Sequence, residues 1–160
     1  MSAVVETALQ EKNTGPREEW LQFLLEGQSY GLNVLQIQEI LFGGLIEPVP
    51  GSPAHVLGVI NLRGSIVTVV DTRMRLGIPS REPGESEWIV VLDIFGETLG
   101  LMVDEVLEVH IFNPEKVEKM AGAELVGHEQ HVSGVIELSS IGMLILLDAA
   151  SVAGLRREDQ

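Results

Sequence analysis

The chain contains no cysteine, which excludes disulfides, iron–sulfur clusters, thiolate zinc sites and cysteine nucleophiles together. Aromatic residues make up only 4% of the 160 residues. Any packed interior therefore has to be built from Val, Leu and Ile, a bias that favours strands over helices. Basic residues are also few: 10 Lys and Arg stand against 24 Asp and Glu, for a net charge of −14. A surface of that sign repels phosphate backbones, and no Lys/Arg cluster offsets it, which argues against nucleic acid as a partner. The same charge aids solubility and can steer a basic partner. No apolar run approaches the ~20 residues of a membrane-spanning helix, and Met1 to Arg17 lacks the apolar core of a signal peptide. The expectation is a cytoplasmic protein with no direct membrane insertion.

What is present is a hydrophobic fraction of 45%, enough for one ordinary domain or two small lobes sharing a core. Residues 1–17 read as a flexible tail, 18–156 as a single folded domain and 157–160 as a second tail. Trp20–Leu25 and Tyr30–Val34 read as strands joined by a turn over Glu26-Gly27-Gln28-Ser29. Leu35 to Leu41 fits both a helical stripe and strand alternation, and is taken as one helical turn running into a strand. Ser52 and Pro53 predict a short helix over 54–57.

The stretch Gly58 to Asp71 follows, two aliphatic runs about Arg63-Gly64-Ser65. It predicts a β-hairpin whose turn uses the positive φ of Gly64 and presents Arg63 to solvent. Asp71 or Thr72 then opens a short helix. The polar residues 80–87 form the best internal boundary, dividing lobes of roughly 18–80 and 86–156. Beyond it, strands are expected over Trp88–Ile94, Leu99–Val103, Val106–Phe112, Val132–Leu138 and Met143–Leu147, with a helix opened by Asp148.

The two halves superpose. Phe23, Gly27, Gly31, Leu32, Ile37, Glu39 and Ile40 fall on Leu92, Gly96, Gly100, Leu101, Val106, Glu108 and Val109 at one constant offset. Gly58-Val59-Ile60 later falls on Gly134-Val135-Ile136, and Asp71 on Asp148. The repeat predicts an all-β fold with a few short helices: two similar lobes of about five strands, curled into barrels that hide their edges. An α/β alternative would need long helices between strands, and none is visible. Features shared by both halves are structural on this reading, whereas Arg63-Gly64 has only Ser139-Ser140-Ile141 opposite it.

Catalytic patterns are missing. There is no phosphate-binding Gly-rich loop and no Gly-x-Ser-x-Gly elbow. His128 and His131 stand three apart without further metal-ligand spacing. Asp71 and Asp148 are equivalent in the repeat, which favours helix capping over an acid–base pair. Asp104-Glu105 reads as a solvated strand end. An enzyme or small-molecule binder using an inter-lobe groove is the competing class, which metal assays and ligand-induced melting shifts would separate from an adaptor.

Together, Gly58-Val59-Ile60-Asn61-Leu62-Arg63-Gly64, Ile66 to Asp71, Tyr30-Gly31-Leu32, Ile37-Gln38-Glu39-Ile40 and Gly100 to Asp104 resemble the CheW-type coupling proteins of bacterial chemosensory arrays. The resemblance runs from about Trp20 to Leu155. It implies two SH3-like five-stranded barrel lobes and an adaptor with no catalytic activity, cofactor or metal. Such proteins bridge the cytoplasmic tips of methyl-accepting chemoreceptors to the regulatory domain of the histidine kinase CheA. Related domains pack lobe against lobe in rings, and receptor helices dock at the groove, at the inner face of the membrane. Carried over by motif, the interaction residues are Arg63 and Gly64 of the turn, Asn61 and Gly58 before it, and the pair Ile37 and Glu39. Thr68 and Thr72 stand where many relatives carry proline and leucine. The alternatives are a scaffold of a pilus or gliding system, or an array spacer that does not activate the kinase.

Overall fold

The computed structural model describes residues 15–80, 88–119 and 129–155. Residues 1–14, 81–87 and 156–160, on which the expected tails and internal boundary largely fall, lie outside the described residues, as does His128. Strands β1 (Glu18–Leu25) and β2 (Gln28–Asn33) lead through a 3-10 turn (Val34–Gln36) into β3 (Ile37–Phe42). Next come β4 (Val56–Leu62), β5 (Ser65–Asp71) and helix α1 (Thr72–Arg75). Strands β6 (Trp88–Ile94), β7 (Glu97–Val103) and β8 (Glu105–Phe112) follow, then β9 (Val132–Leu138), β10 (Gly142–Leu147) and helix α2 (Ala149–Ala153). The ambiguous stretch after Val34 is thus one helical turn followed by a strand. The helix expected over 54–57 does not form, because Val56 pairs with Val70 and its amide only closes a turn onto Pro53.

Three hairpins reverse in two residues, each with positive φ at both: Glu26-Gly27, Arg63-Gly64 and Phe95-Gly96. That is the type I′ turn, whose twist matches the strands it joins. Neither Val34–Gln36 nor Asp104 has a positive φ, so neither makes the two-residue I′ turn of the three hairpins, and at both points the chain crosses to the other sheet. The consequence is an exchange. One sheet has the order β8-β1-β2-β10-β9 and the other β3-β6-β7-β5-β4. The lobes are therefore not the halves 18–80 and 86–156: each lobe takes a hairpin from one repeat and three strands from the other. The pairing is reciprocal, since Phe23 faces Val106 and Leu21 faces Val109, while their equivalents Leu92 and Val90 face Ile37 and Ile40.

Strand alternation then sorts the aliphatic residues. In β10, Leu144 and Leu146 turn into the first lobe's own core with Trp20, Phe112 and Ile136. In β6, Ile89 and Val91 join Ile60, Val67 and Val69 in the second lobe's core. The other faces of these strands, with Leu21, Phe23, Leu92, Leu101, Ile145 and Leu147, meet in an interior common to both lobes.

Thr72 is fully buried at the start of α1, and its Oγ1 is the buried side-chain oxygen without a hydrogen-bond partner among the described residues. Thr72→Val should therefore raise stability by about 1 kcal/mol, read as a higher denaturant midpoint, since an orphaned hydroxyl is replaced by a methyl group of similar shape. Gly58 is held closely from the other side: a Cβ there would lie 2.3 Å from the Glu47 carbonyl oxygen, whereas one at Gly64 meets nothing within 4 Å. Gly58→Ala should cost about 2–3 kcal/mol and Gly64→Ala about 1 kcal/mol, the latter from its positive φ alone. Equal costs in urea unfolding would contradict this.

Candidate functional site

The residues singled out in the sequence gather on two surfaces. The first is the seam of the second lobe, where its edge strands β3 and β4 curl toward each other. Glu47 and Val59 exchange backbone hydrogen bonds of 2.9 Å there. Arg63, in the turn after β4, reaches across to Glu39 on β3: Nη1 donates to Oε1 at 3.2 Å and Nη2 donates to Oε2. Arg63 is thus not a free guanidinium in solvent. It is a bidentate partner, still 66% exposed, with Glu39 at 24%. The hydrogen bond from Arg63 holds the Glu39 carboxyl below its ordinary range, so the pair stays charged at neutral pH and is lost only as pH falls through that lowered value.

Asn61 has a local task, its Oδ1 accepting from the Gly64 amide at 2.9 Å and so fixing the turn. Gly58 is buried under Glu47 and offers no surface to a partner. Beside the seam lies a cleft of about 390 Å³ lined by Leu41, Leu45, Val59, Asn61 and Ile66 among others, with Leu45 and Ile66 largely exposed. Among the described residues the first lobe has no such pair. Its β8 carries Glu108 at the position equivalent to Glu39, but the loop from Leu138 to Gly142 supplies only Ser139, Ser140 and Ile141.

Ile37 belongs to the second surface. A register shift between Ile37 and Glu39 turns these neighbours to opposite faces: Ile37 pairs with Leu92 of the common interior, Glu39 with Val91 of the lobe core. Ile40 and Phe42 follow Ile37 on the inter-lobe face, where Phe42 packs on Trp88 with ring centroids 4.7 Å apart. Val106 and Val109 do the same on β8, opposite Phe23 and Leu21, and Ile111 continues the row. The common interior thus runs out along each of the two edge strands into exposed apolar residues: Ile40 is 39% and Phe42 70% exposed on β3, Val109 42% and Ile111 37% on β8. Phe42, Val109 and Ile111 were not singled out as interaction residues from the sequence. The signal was available, because the repeat places Ile40 on Val109 and both stand beside a buried partner.

The remaining polar groups have structural partners. Asp71 and Asp148 cap α1 and α2, accepting from Met74 and Ser151 amides. His110 Nε2 lies 2.8 Å from Gln22 Oε1. His131 Nδ1 lies 2.7 Å from Ser151 Oγ, which also lies 3.1 Å from the Gln130 carbonyl, tying the 3-10 turn before β9 to α2. Asp104 is not a solvated strand end. Its carboxylate is 12% exposed and bound by Arg73.

Comparison with known proteins follows this geometry. The family model described as a CheW-like domain matches residues 19–156. The chemotaxis protein CheW of Rhizobium meliloti is 35% identical over 96 residues, covering 60% of this chain and 62% of the relative, so the chain spans somewhat under two thirds of that protein. The chemotaxis protein CheW of Klebsiella aerogenes is 29% identical over 133 residues, covering 82% of this chain and 78% of the relative. The crystal structure of the scaffolding protein TtCheW from Thermoanaerobacter tengcongensis superposes with a TM-score of 0.75 at 28% identity, over 83% of this chain and 90% of that one. With two five-stranded lobes, the exchange of hairpins and the Asn-Leu-Arg-Gly turn in place, the chain belongs to the CheW-like domain family.

Proposed function

We propose that this protein is a non-catalytic adaptor that couples methyl-accepting chemoreceptors to the histidine kinase CheA in bacterial chemosensory signalling. The observation that carries the reading is the row of exposed apolar residues on the inter-lobe face of each edge strand, β3 and β8, which the reading takes as the two sides of one strip. It belongs equally to both lobes, lies beside charged residues, and is continuous with the common interior, as expected of a contact site rather than of scattered exposed residues. A receptor helix laid along it would meet Ile37, Ile40 and Phe42 on one side and Val106, Val109 and Ile111 on the other, the helix-in-groove mode of recognition.

The seam of the second lobe is the second contact, where the Arg63–Glu39 pair and the cleft beside Leu45 and Ile66 receive the regulatory domain of the kinase or a related lobe in a ring. No helix among the described residues is long and apolar enough to cross a membrane. On this reading the protein sits at the inner face of the membrane only through its partners.

Co-sedimentation with receptor signalling-domain bundles and CheA, with kinase phosphorylation as the second readout, tests this. A wild-type protein that neither binds nor alters phosphorylation would sink the reading, and one that binds but leaves phosphorylation unchanged would mark an array spacer. Ile40→Asp and Val109→Asp, one from each lobe, should each weaken receptor co-sedimentation on the order of tenfold, because a charge enters a desolvated contact. If either binds like wild type, the strip is not one site. Arg63→Glu should reduce kinase coupling by a similar factor while changing stability by no more than about 0.5 kcal/mol, since Arg63 is exposed and an ion pair at the surface contributes little. Adding Glu39→Arg restores the pair, and recovery of coupling would show that the pairing itself is recognised.

A further inference from the structure

We propose that Arg73 and Asp104, with Glu26, form a clasp that sets the angle between the lobes and so positions the two halves of the apolar strip. This rests on the adaptor reading. Asp104 is the single residue between β7 and β8, the point where the chain leaves one sheet for the other. Its carboxylate takes donors from both lobes. From the first lobe comes the Glu26 amide at 2.9 Å, in the turn after β1. From the second comes Arg73 of α1, which directly follows β5, donating from Nε at 2.8 Å and Nη2 at 2.6 Å. The Asp104 amide donates in turn to the Leu24 carbonyl at 3.1 Å. Arg73 is fixed further by the Pro79 carbonyl at 2.8 Å and by Glu26 Oε1 at 3.5 Å. Its side chain is only 11% exposed.

The duplicated scaffold does not require this arrangement. At the other crossover, the residue equivalent to Asp104 is Leu35, 91% exposed. Ala150 occupies the place of Arg73. There no ion pair is found at the joint among the described residues, and the 3-10 turn is capped locally by Asn33 at 2.9 Å from the Leu35 amide. The clasp is therefore an addition to one side of a symmetric frame. Buried ion pairs contribute little net stability compared with apolar residues of the same volume. A bidentate guanidinium–carboxylate contact does impose direction. Direction matters at this point, because β8 begins at the next residue. At about 3.3 Å per residue, Ile111 lies roughly 23 Å along the strand from the clasp, so a tilt of about 10° at Asp104 moves it by about 4 Å relative to β3.

The absence of native cysteine permits a direct measurement. Spin labels are placed at Thr98→Cys in the second lobe and Ser140→Cys in the first, both exposed, and the interspin distance distribution is recorded with and without Arg73→Met/Asp104→Leu. This double variant replaces the clasp by apolar bulk and should keep an unfolding midpoint at or above that of the wild type. The expected result is a shifted or broadened distribution and receptor co-sedimentation weakened about tenfold, with binding to the isolated kinase regulatory domain within twofold of wild type. Arg73→Lys, which keeps the charge and loses the fork, should show the same changes in smaller measure and serves if the double variant fails to fold. An unchanged distance distribution overturns the clasp whatever happens to binding. A broadened distribution with wild-type receptor binding overturns its positioning role while leaving the adaptor reading intact. The distance measurement needs no partner, so a wild type that binds no receptor would overturn the adaptor reading alone.

Discussion

Each central strand of this protein has two buried faces, one turned into its own lobe and one into the interior shared with the other lobe. In β6, Ile89 and Val91 serve the first purpose while Val90, Leu92 and Ile94 serve the second. In β10 the division is Leu144 and Leu146 against Ile145 and Leu147. Almost no position in such a strand can be polar, which accounts for the uninterrupted runs Trp88-Ile-Val-Val-Leu92 and Met143-Leu-Ile-Leu-Leu147. It also accounts for the small residues between them. Gly100 lies where a Cβ would come within 2.7 Å of Ile89, and Gly31 where one would come within 3.1 Å of Leu146. The common interior makes one cooperative body of two small barrels, neither of which has a large core of its own.

The candidate site follows from where that interior ends. Central strands cover both faces completely, but edge strands cannot, so the inter-lobe face of β3 and β8 emerges as exposed Ile40, Phe42, Val109 and Ile111. A surface of this kind arises from the position of a strand at the edge of its sheet. The two ion pairs have different parts in it. Arg63–Glu39 is exposed and spans the seam of one lobe, where a partner can read it. Arg73–Asp104 is largely buried and spans the joint between lobes, where only the fold can feel it. Both are absent from their symmetry-equivalent positions, and both are made by cations in a chain that has few.

Much of this was legible in the residues. The I′ turns at Glu26-Gly27, Arg63-Gly64 and Phe95-Gly96 are local, and so are the caps by Asp71 and Asp148. The repeat exposed Arg63 as a feature present once, and its motif pointed to the family. The roles within the motif were less legible. Gly58 resembles an interaction residue in sequence, yet it lies beneath Glu47, because a motif records which residues occur together and not which of them face outward; Asn61 is exposed and also ties the turn. Asp104 looks in sequence like a solvated strand end, since its partners Arg73 and Glu26 are distant along the chain.

Strand positions, turn types and the equivalence of the two halves were determined by the sequence itself, through alternation, positive-φ glycines and spacing, all of which act over a few residues. The exchange of hairpins between lobes was decided only by tertiary structure. Equivalence under the repeat says that β3 corresponds to β8; it does not say whether β3 pairs with β2 or with β6. Both arrangements bury the same aliphatic residues, and they differ in whether the chain reverses or crosses at Val34–Gln36 and at Asp104. Without a residue of positive φ at either point no two-residue I′ turn forms and the chain crosses, which leaves β3 and β8 as edge strands of opposite sheets.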